Sequence, residues 1–100
     1  MSSRCYNSGP ISHKSWDEAF KSFSAADVLI REVIGMTPVN PLTTWALPRK
    51  SPWICHMIKD LILMLTCGAV FFQKDWEVSK GARVEFKFAR MLGMKVYFEI

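Results

Sequence analysis

Among the residues able to do chemistry, Glu85 is the one that does not fit its surroundings. Read at about 100° per residue, the stretch Lys80 to Leu92 puts Arg83, Lys87 and Arg90 on one solvated stripe. Glu85 falls on the other side with Phe88, Ala89 and Leu92, near the middle of the face that should pack inward. A carboxylate there is costly unless it is paired or hydrogen-bonded. It either meets a basic side chain or a backbone amide, or it is positioned as a nucleophile or general base. Asp60 is its natural companion, sharing a helix face with Trp53, Met57 and Met64.

Ser79, Gly81 and Ala82 open the helix that carries Glu85. A serine hydroxyl and free backbone N–H groups at that end make an anion site, and equally an ordinary helix cap. The turn Asn7-Ser8-Gly9-Pro10 is similar, with Gly9 letting backbone approach a ligand. Trp45, Trp53 and Trp76 flank the same side, where they can stack on a ring or simply pack. His13 and His56 have no partner at nucleophile or metal spacing. Cys5, Cys55 and Cys67 form neither a CxxC pair nor a Cys/His set, so neither metal nor other cofactor is expected. Their odd number points to reduced thiols and a cytosolic protein.

The elements that must position these groups alternate along the chain. Arg4 to Ser8 reads as a first strand, and Ser15 caps a helix from Trp16, with Asp17 and Glu18 in its first turn. Trp16, Ala19, Phe20, Phe23, Ala26 and Ile30 recur at helical spacing as a buried stripe, and Gly35 ends it. Met36 to Val39 is a second strand and Asn40 to Lys50 a loop. Ser51-Pro52 starts a helix running to about Thr66, with proline at the first helical position. Ala69 to Phe72 is a third strand, apolar enough to be buried on both faces. A third helix spans Lys80 to Leu92, Gly93 stops it, and Lys95 to Glu99 is a last strand.

That order, β-α-β-α-β-α-β, predicts one α/β domain over residues 1–100. It is a small flavodoxin-like or Rossmann-like three-layer sandwich, with a four-stranded parallel sheet and helices on both faces. Ligands in such sheets bind beyond the carboxyl ends of the strands. The rule selects the loops Ser8 to Lys14, Asn40 to Lys50 and Gln73 to Ser79.

Composition narrows the function classes. Half of the 100 residues are apolar and 22% are charged, as in an ordinary globular domain. A chain this short leaves apolar surface uncovered, so a homodimer or higher homo-oligomer is expected. The formal charge of +4 suits an anionic ligand, but the basic residues are dispersed, which argues against nucleic acid. The most apolar run, Leu61 to Phe72, has twelve residues and is broken by Gly68, against about 20 needed to span a bilayer. With no apolar leader in residues 1–10, a soluble cytoplasmic protein is expected.

YNSGPIS near the start, NP at 40–41, MIKDLILMLTCGAVFF and DWEVSKGARVEFKFARMLGMKVY together resemble the nucleoside 2-deoxyribosyltransferase-like superfamily. The likeness runs from about Tyr6 to Tyr97 and is strongest to its short, uncharacterised phage and bacterial members. It implies cleavage of the N-glycosidic bond of a nucleotide or nucleoside, by hydrolysis or by transfer to another base. Glu85 would be the nucleophile at C1′ and Asp60 the residue that helps the leaving base accept a proton. Tyr6, Ser8, Gly9 and Pro10, with Ser79, Gly81 and Ala82, would bind the substrate. Ser79 matches the related 2′-deoxynucleoside 5′-monophosphate N-glycosidases, where a serine contacts phosphate, and so favours a nucleotide. Gly68 stands where many relatives carry aspartate, and no C-terminal extension follows the fourth strand. Those departures favour hydrolysis, or nucleotide binding without turnover, over robust transfer.

Overall fold

Side-chain alternation in the first strand decides which layer receives the chemistry. The computed structural model describes residues 3–11, 14–45 and 47–99; His13 lies outside them. Strand β1 (Arg4–Ser8) is buried over its last four residues and sits inside the sheet. It is flanked by β2 (Thr37–Val39) and β3 (Ala69–Phe72), with β4 (Lys95–Phe98) beyond β3. All three pairings are parallel, in the order β2-β1-β3-β4. Tyr6 lies opposite Val39 and Val70, and Ser8 lies opposite Phe72.

Residues two apart on a strand share a face. Tyr6, Val70 and Phe72 therefore pack together against Leu63 and Met64 of α2 (Trp53–Leu65) and Ala89 of α3 (Lys80–Leu92). Cys5, Ala69 and Phe71 face the other way, onto Ala26 of α1 (Trp16–Leu29) and Ile30 just after it. The result is the expected three-layer α/β sandwich, with one helix on one face and two on the other. Among the described residues, no helix is long and apolar enough to cross a membrane.

Several local expectations need correction. The helix from Trp16 ends at Gly35 as expected, with Gly35 left-handed at φ 78°, but its last turn, Ile30–Ile34, is π-helical rather than α-helical. Pro52 is the cap of α2 rather than its first helical residue, β2 begins at Thr37, and β4 stops at Phe98. Trp16 and Phe20 are 39% and 42% exposed, because the early part of α1 rests on Leu42 and Ile11 of the loops. That narrower seat covers Ala19 and Phe23 but not their neighbours. Leu92 is exposed where it closes α3, beside an edge strand that is itself only partly covered.

Trp76 packs within the protein. Its ring lies 4.9 Å from both Phe72 and Phe86, and Phe98 completes the cluster. This cluster anchors the carboxyl end of β3 against α3, where Glu85 must be held. Phe72→Ala should therefore cost about 3–5 kcal/mol of stability, measured by urea denaturation. A loss below about 1 kcal/mol would show that the cluster is not part of the core.

Candidate active site

The chain leaves β1 toward β2 on one side and later returns to β3 on the other. A crevice opens beyond the strand ends at such a reversal. Here it is a cleft of about 270 Å³. All three expected loops line it, through Gly9 and Ile11, through Pro41, Leu42, Leu47 and Arg49, and through Ser79. Residues of α2 and α3 supply the rest, including Asp60 and Glu85.

Glu85 is 4% exposed, and two hydroxyls hold it. Tyr6 and Ser8 point the same way because they are two apart on β1. The Tyr6 hydroxyl donates to Oε2 at 2.8 Å and the Ser8 hydroxyl to Oε1 at 2.6 Å. Burial, and then the nearby acidic charges, push the Tyr6 hydroxyl well above its usual range, so it stays protonated and remains a donor. Neither residue lines the cleft; both stand behind the carboxyl and aim it.

Asp60 comes from α2, on the face turned to α3. The Lys59 ammonium lies 3.1 Å from Asp60 Oδ1, both side chains are nearly buried, and Lys59 also donates to the Pro41 carbonyl at 2.8 Å. Among the described residues, Oδ1 is a buried acceptor with that ion pair but no hydrogen bond. Such an atom is costly until a donor reaches it. Burial raises the Asp60 carboxyl, and Lys59 opposes the rise. Burial also pushes Glu85 up to about 8; the Asp60 charge adds to this, and donation from Ser8 and Tyr6 resists it. Two carboxyls this close titrate as a pair. Lys59 favours the charged form of Asp60, so Glu85 is the member of the pair that burial drives toward its protonated form.

Ser79 caps α3, its hydroxyl accepting from the Ala82 N–H at 3.3 Å. A Cβ on Gly81 would come within 3.2 Å of the Met57 sulfur, so glycine lets α2 and α3 meet under the cleft. A Cβ on Gly9 would run into the Gln73 amide. That amide is fixed by its bond to Asn7 Oδ1 at 2.7 Å, while Asn7 Nδ2 reaches Phe23 O and Asp27, both at 2.8 Å. Asn40 donates to the other Asp27 oxygen at 3.0 Å. This polar network ties the strand ends to α1, on the side of the sheet away from Glu85.

A family model described as a domain of unknown function, DUF4406, matches residues 3–98. The chain belongs to the DUF4406 family. No curated protein and no solved structure matches it.

Of the site residues expected from sequence, Glu85, Asp60, Gly9, Ser79, Gly81 and Ala82 all line the cleft of this DUF4406 domain. Tyr6 and Ser8 reach it only through Glu85. Pro10 is buried and does not line it, so its contribution is to the turn. Of the three tryptophans, Trp53 alone is at the cleft, with the Lys80 ammonium 4.6 Å from its ring centre; Trp45 is exposed elsewhere. His56 also lines the cleft. Sequence reasoning missed Lys59, Arg49 and Trp16, whose ring lies 4.9 Å from the Arg49 guanidinium. For Lys59 a signal was present: Lys59 and Asp60 are the only charged residues in α2.

Glu85 makes stability depend on pH. Between its ordinary 4.5 and about 8 the folded protein keeps a proton that the unfolded chain has lost. The Glu85 contribution to stability is therefore fully present below that window and is lost as pH rises through it, by on the order of 5 kcal/mol. Urea denaturation at both ends of the window should show this fall for the wild type and most of it gone in Glu85→Gln. Equal slopes in the two proteins would mean that Glu85 ionises normally.

Proposed function

We propose that this protein cleaves the N-glycosidic bond of a nucleotide or nucleoside, with Glu85 as nucleophile and Asp60 as its acid and base. The observation that carries the reading is the aimed carboxyl on the cleft wall, held by Tyr6 and Ser8 with a second carboxyl beside it. The sequence resemblance supports the same chemistry. At about 270 Å³ the cleft lies near the lower end of ligand pockets, roughly 300–1,000 Å³, and suits one small molecule rather than a strand. Ser79, Arg49 and Lys80 around it favour a 5′-phosphate over a free nucleoside. We also assign the protein to the cytoplasm, where such substrates are found and where Cys5, Cys55 and Cys67 would stay reduced.

The reaction uses the proton the pair already holds. In the reactive state that proton sits on Asp60 and Glu85 is ionised. A Glu85 oxygen attacks C1′, the bond from C1′ to the base nitrogen breaks, and its electron pair leaves with the base. Asp60 gives its proton to the base. Water then attacks C1′ as Asp60 takes a proton from it, the Glu85–C1′ bond breaks, and free sugar departs. Replacing water with another base gives transfer. Two displacements retain configuration at C1′. Lys59 steadies Asp60 in its charged form between the steps.

A second reading, binding without turnover, draws on the burial of Glu85, which drives the carboxyl toward its neutral form, a poor nucleophile. Base release from deoxynucleosides and their 5′-monophosphates, followed by chromatography, separates the two. The catalytic reading expects release by the wild type and none by Glu85→Ala, with Asp60→Asn slower by about 10²–10⁴-fold. Nucleotide binding without release would favour the second reading. Activity should follow a bell-shaped pH profile, failing at low pH where both carboxyls are protonated and above about 8 where the pair has lost its proton. A rate that keeps rising through that upper limb would exclude Asp60 as the acid.

A further inference from the structure

Lys59 is 5% exposed, yet it lines the cleft. An ammonium carries three N–H donors. Among the described residues, it donates to the Pro41 carbonyl at 2.8 Å and lies 3.1 Å from Asp60 Oδ1 as an ion pair. A donor is left over at the cleft wall, next to Oδ1, itself a buried acceptor without a hydrogen bond. A phosphate is a poor match for this donor, because the Asp60 carboxylate would oppose it.

The order across the cleft is Glu85, Asp60, Lys59: the Asp60 charge acts on Glu85, and Lys59 reaches Asp60 and Pro41. A base whose C1′ lies at Glu85 therefore meets Asp60 first and Lys59 beyond it. In a purine, N7 and then the group on C6 follow in that order from C1′. Guanine offers two acceptors there, N7 and O6, whereas adenine sets an N6–H2 donor beside N7. In cytosine the order is reversed, with the O2 carbonyl nearer to C1′ than the bare N3.

We infer that Lys59 selects a 6-oxopurine as the leaving base, donating to O6 while Asp60 serves N7. This selection rests on the reading of the cleft as a glycosidase site. Asp60 gives its proton to N7, and the N7–H so formed is the donor that Oδ1 lacks. As the bond from C1′ to N9 breaks, its electron pair enters the ring and negative charge spreads to O6. The Lys59 ammonium stabilises that charge. An amino group in the same place sets its N–H against the ammonium.

Base release from the 5′-monophosphates of 2′-deoxyinosine and 2′-deoxyadenosine, an oxo and an amino purine of the same size, tests this. The kcat/KM should favour the inosine nucleotide by about 10–100-fold. Lys59→Met should bring the ratio toward one, and Lys59→Gln, whose amide also accepts, should move it the same way. Circular dichroism checks that each variant is folded. A purely structural Lys59 would lower both rates alike and leave the ratio unmoved. Calorimetry with Glu85→Ala, which keeps Lys59 and Asp60, reads the same preference without turnover. Tighter binding of the inosine nucleotide there, with no release of base by the wild type, would sink the glycosidase reading and leave Lys59 as the residue that reads the base. Equal rates and affinities for the two nucleotides, binding of neither, or a preference that survives both substitutions in folded protein would overturn the inference. So would a preference for the 2′-deoxycytidine nucleotide over both purines.

Discussion

A carboxyl group removed from water has to be solvated by the protein around it, and Glu85 is the group that sets this requirement here. The strand pleat places Tyr6 and Ser8 on one face, so two hydroxyls from a single strand reach the two carboxyl oxygens. Those hydroxyls orient the group but only partly offset burial and the neighbouring Asp60. Neutralisation by a proton supplies the difference. A carboxyl driven toward its neutral form in this way fits an enclosed site where two acids meet beside a lysine.

The polarity of α2 follows from the same requirement. Asp60 has to approach Glu85, and an ionised Asp60 in a buried layer needs a cation from within that layer. Lys59 provides it, tethered by the Pro41 carbonyl of the loop that walls the cleft. Both charges of the helix are thus committed inward, and the outward face is left to isoleucine and leucine. Site chemistry and surface character are two sides of one thirteen-residue helix.

Element order, parallel pairing and the loops that form the cleft were legible because they rest on periodicity and on the switch-point rule. Glu85 stood out for a related reason: a lone acid on an apolar helix face has few structural explanations. What sequence could not supply was contact across elements. Tyr6 looked like a ligand contact, and only the register of β1 against α3 shows its hydroxyl on Glu85. Trp76 is indistinguishable by spacing from a ring-stacking residue until Phe72, Phe86 and Phe98 are seen around it. The network of Asn7, Asp27, Asn40 and Gln73 joins residues up to 66 positions apart through side-chain amides, and nothing local announces it. Gly9 was read as room for a ligand, yet its immediate constraint is the Gln73 side chain.

Burial and the neighbouring Asp60 charge raise the Glu85 carboxyl far enough to keep it protonated near neutrality. Carbon-13 NMR of the glutamate side-chain carboxyls, with the Glu85 signal assigned by its loss in Glu85→Gln, measures this directly. Titration of that signal near 8, with its midpoint lowered in Asp60→Asn, is the result the structure predicts. A midpoint near the ordinary 4.5 would contradict it, and would mean that Glu85 is charged at rest with its solvation supplied by Tyr6 and Ser8 alone.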